Sequence, residues 1–370
     1  MQFRVAAPII TRHVLHSACK EKKTEMTTLT AAGASASPEH RPAEILALTR
    51  RIVEPPLRSA VESMPEPLRR MASYHLGWCD AQGVPVRANV GKLFRPALAI
   101  CACIACGGKP ESAAPAAVAA ELVHNFTLIH DDVMDGDRTR RGRSTVWALW
   151  GVSDAVLLGD GLHALAAEVL VARLADPVVG PALDRLESTV IELCRGQHED
   201  CLAADSRRSL ADCERTAMSK TGALMGCACA LGALCAGASA EMVSSMDRFG
   251  RELGMAFQLT DDLIGIWGDP AISGKPADDL AHRKYTMPVV AALLSGTAAA
   301  AELGLLYRDP APLSSGRVAR AAELIDAAGG RRWAREQAER RTESALRCLP
   351  DGSAADDLAV LARLVARRDL

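Results

Sequence analysis

Apolar residues return at steps of three and four along most of this chain, and that period constrains the fold more than any other feature. From Ala116 to Met134, the residues Val118, Leu122, Phe126, Ile129 and Val133 share one face, because each residue of a helix turns by about 100°. Met242 to Ile266 repeats the pattern with Met246, Phe249, Leu253, Ala256 and Leu263. Further segments of the same period lie at 153–175, 182–203, 210–235, 287–305, 315–328, 330–348 and 354–368, with breaks at Asp176-Pro177, Gly268-Asp269-Pro270 and Pro310 to Ser315. Almost nothing alternates with the period of two that a half-buried strand needs. The expected fold class is therefore all-α, with ten or more helices around a shared core and no internal linker to divide it.

Composition agrees. Apolar residues make up 49% of the chain but aromatics only 4%. Ala and Leu carry the apolar content, and both lose little entropy in a helix. A formal charge of -2 over 370 residues gives no electrostatic reason to expect nucleic acid or a charged membrane as partner. Apolar runs such as Ala113 to Val123 stop at polar residues well short of the roughly 20 needed to cross a bilayer, so no membrane span is expected.

The 12 cysteines include one CxxC, Cys103 and Cys106, with no second pair at a zinc-ribbon distance. The others sit singly among Ala, Leu and Gly, as in CACALGALC, and read as small reduced core residues. With no secretory signal, this points to the cytoplasm. Near the amino terminus, Met26 is followed by TTLTAAGASASPEHRP, a tract that cannot pack a core. Residues 1–42 are expected to be a disordered extension or the product of a start upstream of Met26, and residues 43–370 to form the folded domain.

The chemistry concentrates in HDDVMDGDRTRRG, His130 to Gly142. On a helix Asp131 and Asp135 stand one turn apart on the same face, with Asp132 beside them, and two such carboxylates repel unless a cation sits between them. His124 and Leu128 lie on the same stripe. A second acidic pair, Asp261-Asp262, ends the other long helix, with Gln258 one turn before Asp262. If the two acidic ends face each other across a cavity, they offer hard oxygen ligands. Magnesium takes few carboxylates, keeps several waters and completes its shell with phosphate oxygens, so a diphosphate substrate is expected. Arg140, Arg141, Lys92, Arg95, Lys220, Lys275 and Lys284 are then candidates to hold the oxygens that metal does not reach. On this reading the two signs in the segment meet through the substrate and need not pair directly, and Asp137 and Arg138 are a solvated helix end.

In order along the chain stand GKLFRP, DDVMD followed by RRG, RGQHED, SKTGAL and FQLTDDLIGIWGDPAISGKPADDLAHRKYTMP. Over about residues 75 to 370 the chain resembles the trans-isoprenyl diphosphate synthases, the polyprenyl synthetase family. A lone DDxxD also occurs in class I terpene cyclases, but five motifs in this order are specific, and the cyclases' asparagine-serine-glutamate metal motif is not found at the second site.

The resemblance implies a single large helical domain of isoprenoid synthase type, its helices surrounding a central active-site cavity. It implies that Asp131 and Asp135, supported by Asp132, hold two of three magnesium ions, and that Asp261 holds the third with help from Asp262 and Asp279. Lys92, Arg95, His124 and Arg141 match positions that bind the diphosphate of isopentenyl diphosphate. Arg140, Gln197, Lys220, Thr221, Gln258, Lys275 and Lys284 match those facing the allylic diphosphate, and Lys220, Thr221, Gln258 and Lys275 are the implied catalytic set. The implied reaction is ionisation of the allylic diphosphate, attack on the cation by the double bond of isopentenyl diphosphate, and loss of a proton to the departing diphosphate. A homodimer is implied by the family alone.

Two features depart from the family pattern or bear on product size. The third aspartate of the second motif is replaced by Gly265, and Asp269 lies too far along to take its place. Catalysis is expected to survive, because Asp261, Lys275, Asp279 and Lys284 keep their positions. Phe126 and Thr127 lie where a floor beneath the first motif would limit product length. An aromatic residue five before the motif resembles the pattern of C20 producers, geranylgeranyl diphosphate synthases, with C15 farnesyl diphosphate next. A non-catalytic partner subunit and a terpene cyclase are the other classes open at this point.

Overall fold

The computed structural model describes residues 41–86, 91–202, 208–268, 279–309 and 313–366. All of these fall in one compact unit, Pro38–Leu370. Helix α1 is Arg41–Glu62, α2 Leu68–His75, α3 Phe94–Ala105 and α4 Ala114–Met134. A small hairpin follows, β1 Thr139–Arg140 and β2 Arg143–Ser144, and then α5 Val146–Trp150, α6 Val152–Arg173 and α7 Asp176–Leu202. Next come α8 Leu210–Ala217, α9 Ala223–Cys235 and α10 Ala240–Trp267. Last are α11 Met287–Leu293, α12 Ala298–Arg308, α13 Ser315–Ala327, α14 Gly330–Leu346 and α15 Asp356–Ala366.

The all-α expectation holds. Helix α4 packs along α6, and α9 lies between α10 and α3. The apolar stripe of α4 is buried as its period requires, with Leu122 and Ile129 at 1% exposure and Val118 at zero. Each such leucine or isoleucine contributes roughly 1.5–3 kcal/mol when fully buried. Ala116, Ala117, Ala119 and Ala120 are also fully buried. Side chains this small let helices approach closely, which is how so few aromatics suffice for a core of this size. A second cluster, including Ile266, Leu280, Val289, Leu303 and Ile325, ties α10 to α11, α12 and α13.

Several details differ from the periodic reading. The segment 287–305 is two helices joined through Ser295 and Gly296, bent from each other by 119°. Asp176-Pro177 opens α7, since proline suits the first turn of a helix, where its missing N–H costs nothing. The segment 210–235 runs from α8 to α9 through a π-helical turn, Met218–Gly222. Asp261-Asp262 does not end its helix, because α10 continues to Trp267.

Length and composition taken alone would single out candidate membrane spans. Two helical stretches, Val152–Arg173 and Leu210–Cys235, are long and apolar enough to cross a bilayer by length and composition. Interrupting polar residues shorten the runs without lowering the average enough. In the fold 78% of the second stretch's apolar window is buried among other helices, against 39% for α6.

Candidate active site

The site is assembled from the end of α4, the hairpin, the end of α7, the π-turn and the second half of α10. Asp131 lies in the last turn of α4 and Asp135 caps it, its backbone N–H donating to the Asp131 carbonyl at 2.8 Å. The two therefore share a face, as their spacing requires. Burial pushes both carboxyls above the usual carboxylate range; Lys220 opposes this, while Asp131 is raised further by Asp135. The charge of Lys284 also opposes the shift at Asp135.

Lys220 sits in the π-turn, a wider turn that inserts a residue into the helical register and is often found at functional sites. Its Nζ is 2.9 Å from Asp200 Oδ2 and 4.0 Å from Asp131 Oδ2. Burial alone would lower its pKa, but Asp131 and Asp200 outweigh it and hold the ammonium charged. The turn can lie this close to α7 because residue 196 is glycine. A Cβ there would come within 3.0 Å of the Lys220 backbone nitrogen. Beside Gly196, Gln197 is 9% exposed and its Oε1 is buried without a hydrogen-bond partner.

The opposite charges of the first motif do pair directly, contrary to expectation. Arg140 Nε and Nη2 both lie 2.7 Å from Asp132 Oδ1. Asp132 is 1% exposed, and burial pushes its carboxyl up to about 6 even against this arginine. Its other oxygen, Oδ2, is buried without a partner. A buried carboxylate that lost its cation would cost several kcal/mol, so Asp132 anchors Arg140 and is turned away from Asp131. Arg138 rests over the Trp147 ring at 5.1 Å, and the Asp137 carbonyl accepts from Thr145 and Trp147. This segment is exposed, yet it is more than a solvated end.

Arg141 and Gly142 form the hairpin turn with φ of 54° and 74°. Two successive left-handed residues match the right-handed twist of short strands, and a non-glycine residue at the first position costs about 1 kcal/mol. The turn holds the Arg141 guanidinium against Gly91 of the GKLFRP loop, with Nη2 2.8 Å from where a Cβ would stand. Arg143 fixes the hairpin to α2 by donating to the Tyr74 and Cys79 carbonyls, both at 2.8 Å.

Beneath Arg141, Arg95 Nη1 lies 3.2 Å from His124 Nε2. Burial lowers Arg95 to about 10, with Glu121 opposing the shift, and its Nε has no partner. His124 is held neutral, well below its usual pKa, by burial and then by Arg95, Arg141 and Arg140. His75 is pushed down to about 3 by burial and by Arg141 and Arg140. The result is a cationic recess with an unspent guanidinium donor, suited to an anion. Lys92 is exposed on the loop three residues before Arg95.

On α10 a hydrogen-bond chain runs inward. Thr221 Oγ1 donates to Gln258 Oε1 at 2.9 Å, and Gln258 Nε2 donates to Asp262 Oδ1 at 2.8 Å. The other Asp262 oxygen accepts from the Met287 backbone N–H at 3.1 Å. Asp262 is 6% exposed and burial pushes it up to about 7. Its carboxylate is thus committed to orienting Gln258 and capping α11, which sets it apart from the half-buried Asp261 beside it. Lys284 pairs with Asp279 at 3.3 Å. Lys275 lies outside the described residues.

Phe126, 7% exposed, lies five residues before Asp131, and Thr127 donates to the His124 carbonyl at 2.8 Å. Among the described residues no three His, Cys, Asp or Glu side chains gather closely enough to hold a bare metal ion. That suits magnesium, which needs only one or two carboxylates when waters and phosphate oxygens supply the rest. Asp131 and Asp135 lie one turn apart on one face, and burial disfavours their charged forms, so a cation placed between them would stabilise both carboxylates and the residues fit the ion.

Five residues at the site escaped the sequence reading: Asp200, Arg208, His75, Glu121 and Asn125. Asp200 had a signal, since it stands three residues after Gln197 on the same face of α7; Arg208 Nη1 also reaches it at 3.2 Å. Glu121 and Asn125 fall one turn apart on α4, and Asn125 Nδ2 donates to Glu121 Oε1 at 3.1 Å. His75 Nε2 lies 3.1 Å from Asn125 Oδ1, a contact between α2 and α4 for which the sequence offers no cue.

Comparison with known proteins agrees with this geometry. The polyprenyl synthetase family model matches residues 83–325. A geranylgeranyl diphosphate synthase of Mycobacterium tuberculosis is 48% identical over 344 residues, covering 92% of this chain and 98% of its own. A (2E,6E)-farnesyl diphosphate synthase of Mycobacterium bovis is 44% identical over 328 residues, covering 85% and 91%. The crystal structure of a polyprenyl synthetase from Streptomyces coelicolor superposes with a TM-score of 0.83 at 41% identity, covering 87% of this chain and 99% of that one. The family match and the shared fold together define the class, and the chain belongs to the polyprenyl synthetase family. It is a short-chain prenyltransferase, a prenyl diphosphate synthase.

Proposed function

We propose that this enzyme condenses isopentenyl diphosphate with allylic diphosphates, dependent on magnesium, to form the C20 product geranylgeranyl diphosphate. One arrangement carries the reading: Asp131 and Asp135 share a face of α4, Lys220 reaches Asp131 from the π-turn, and Phe126 lies buried between one and two turns before Asp131. Asp131 and Asp135 would hold two magnesium ions and Asp261, with Asp279, a third. The ions supply Lewis-acid stabilisation of the charge that builds on the departing diphosphate.

Lys220, Arg140, Lys275 and Lys284 are the basic groups on the allylic side, with Gln197 as a polar neighbour. Lys220 is held charged and pre-aimed by Asp131 and Asp200, so little reorganisation is needed when the leaving group ionises. Arg95, Arg141, Lys92 and the neutral His124 receive the diphosphate of isopentenyl diphosphate. Thr221 uses its hydrogen on Gln258, which leaves its oxygen lone pairs to face developing positive charge. The helical interior excludes water that would trap the allylic cation.

A C15 product is the alternative, since farnesyl synthases are among the relatives. Phe126 supports C20, because an aromatic side chain beneath the motif limits extension without filling the turn that Thr127 occupies. The exposed apolar residues Leu149, Val152, Val156, Leu157 and Val171 form a face on α5 and α6, and we assign it to a homodimer interface with a second copy of this chain. Light scattering should return twice the monomer mass; a monomer would overturn the assignment. Eleven cysteines among the described residues are free thiols, which supports a reducing cytoplasmic setting.

The deciding assay supplies purified protein with magnesium, isopentenyl diphosphate and each allylic primer from C5 to C15, and sizes the products after dephosphorylation. C20 is expected, and no elongation with any primer would overturn the reading. Asp131→Ala and Asp261→Ala should each abolish turnover; near-normal rates would show the metal assignment to be wrong.

A further inference from the structure

The ring of Phe126 is held by two imidazoles. His130, one turn on along α4, meets its edge with ring centroids 5.0 Å apart and planes at 83°. His163, on α6, lies nearly parallel to its face at 5.5 Å and 24°. His163 is in turn held from α7, its Nε2 2.8 Å from Glu187 Oε2. Three helices thus converge on one aromatic side chain, and no step of the chemistry uses His163 or Glu187.

We propose that His163, braced by Glu187, is a positioning residue that sets product length by holding Phe126 across the path of the growing chain. This rests on the reading of Phe126 as the floor beneath Asp131. A lone phenylalanine on a helix can swing to another staggered rotamer for a small cost, and a growing apolar tail would push it aside. Stacked rings add about 0.5–1.5 kcal/mol beyond the area they bury, and the stack blocks that swing. Below Phe126 the imidazole forms a second layer. Its side chain is 31% exposed, so past His163 the chain of contacts reaches the molecular surface between α6 and α7. With both layers in place the tail is stopped; with His163 removed it gains space beneath Phe126 between α6 and α7.

The test compares product distributions, from the same primers, of the wild type, Phe126→Ala, His163→Ala, His163→Phe and Glu187→Ala. Phe126→Ala tests the floor, and His163→Ala tests its support. The expected result is that both raise the share of products longer than C20 by about tenfold or more, the size of effect that a methylene-scale change in an apolar pocket produces. The KM for isopentenyl diphosphate should stay unchanged. His163→Phe keeps a stacking ring and should restore the wild-type distribution, whereas Glu187→Ala should lengthen products in part. Circular dichroism melts confirm that each variant is folded, and His163→Gln, which keeps a hydrogen-bonding side chain without a ring, replaces His163→Ala if that protein does not fold. Lengthening by Phe126→Ala with no change on removing the His163 ring would overturn this inference and leave the floor standing. No change from Phe126→Ala would overturn the floor itself, and the inference with it.

Discussion

The carboxylate of Asp279 occupies the space that any side chain at position 265 would need. A Cβ built on Gly265 falls well inside van der Waals contact with Asp279 Oδ2 and lies 2.7 Å from Cγ. Gly265 stands one turn after Asp261 on α10, where the second acidic motif ordinarily carries its third aspartate. The missing carboxylate is therefore replaced in space by one from fourteen residues further along the chain, and Lys284 steadies it at 3.3 Å.

Restoring a side chain at 265 should consequently harm the enzyme. Gly265→Ala and Gly265→Asp are both expected to displace Asp279, lower turnover about tenfold or more, and raise the magnesium concentration needed for half-maximal rate. Calorimetric titration of magnesium gives a readout besides rate. An unaltered magnesium curve for Gly265→Ala would mean that Asp279 contributes nothing to the ion.

Asp262 should behave unlike its neighbour Asp261. Its two oxygens accept from Gln258 and from the Met287 backbone, so Gln258 presents Nε2 inward and Oε1 to Thr221. Asp262→Asn can still accept from Met287, but its amide must then donate to Gln258, whose own amide flips. Thr221 would accept where it now donates and would turn its hydrogen toward the substrate. The variant is expected to melt within about 1–2 kcal/mol of the wild type yet turn over at least about tenfold more slowly. Full activity would dissociate the chain from catalysis.

Lys220 is shared by Asp131 and Asp200, so the two partners should be separable by mutation. Asp200→Asn keeps the shape but removes the charge on the closer contact, and should leave Lys220 less firmly placed. About a tenfold loss in kcat with little change in KM for isopentenyl diphosphate is expected. Lys220→Ala should cost about a hundredfold or more. Equal effects on both KM values would point to general disruption of the π-turn.

Stability should depend on pH through His75. Burial and the nearby arginines push its pKa to about 3, whereas an unfolded imidazole titrates near 6.5. Between these values the unfolded chain binds a proton that the folded chain does not, so this group's contribution is present above about 6.5 and is lost as pH falls. Each unit in that window costs up to about 1.4 kcal/mol. His75→Gln should flatten the fall in denaturant midpoint between pH 6.5 and 5. An unchanged slope would assign the dependence to other groups.

Much of the fold was legible because helices advertise themselves through local spacing. The stripe of Val118, Leu122, Phe126 and Ile129 predicts both α4 and its buried face, and the place of Asp131 and Asp135 on that helix follows from the same geometry. The single segment 287–305 failed because α11 and α12 continue the apolar pattern across a bend that only packing enforces. Within the first motif, direct pairing of Asp132 with Arg140 was missed because the hairpin reverses the chain between them. Spacing along a helix carries no information about a turn that follows it.

By itself the sequence determined the helical class, the order of the motifs and the residue types at each end of the reaction, since these depend on period and chemistry along one chain. Tertiary structure decided which groups share partners: Lys220 between Asp131 and Asp200, His163 on Phe126, and Asp279 in the space left at Gly265. Each joins segments far apart in sequence, and whether they meet depends on how closely whole helices approach. Small residues such as Gly196 and Gly265 set that approach, and their meaning is visible only from what lies against them.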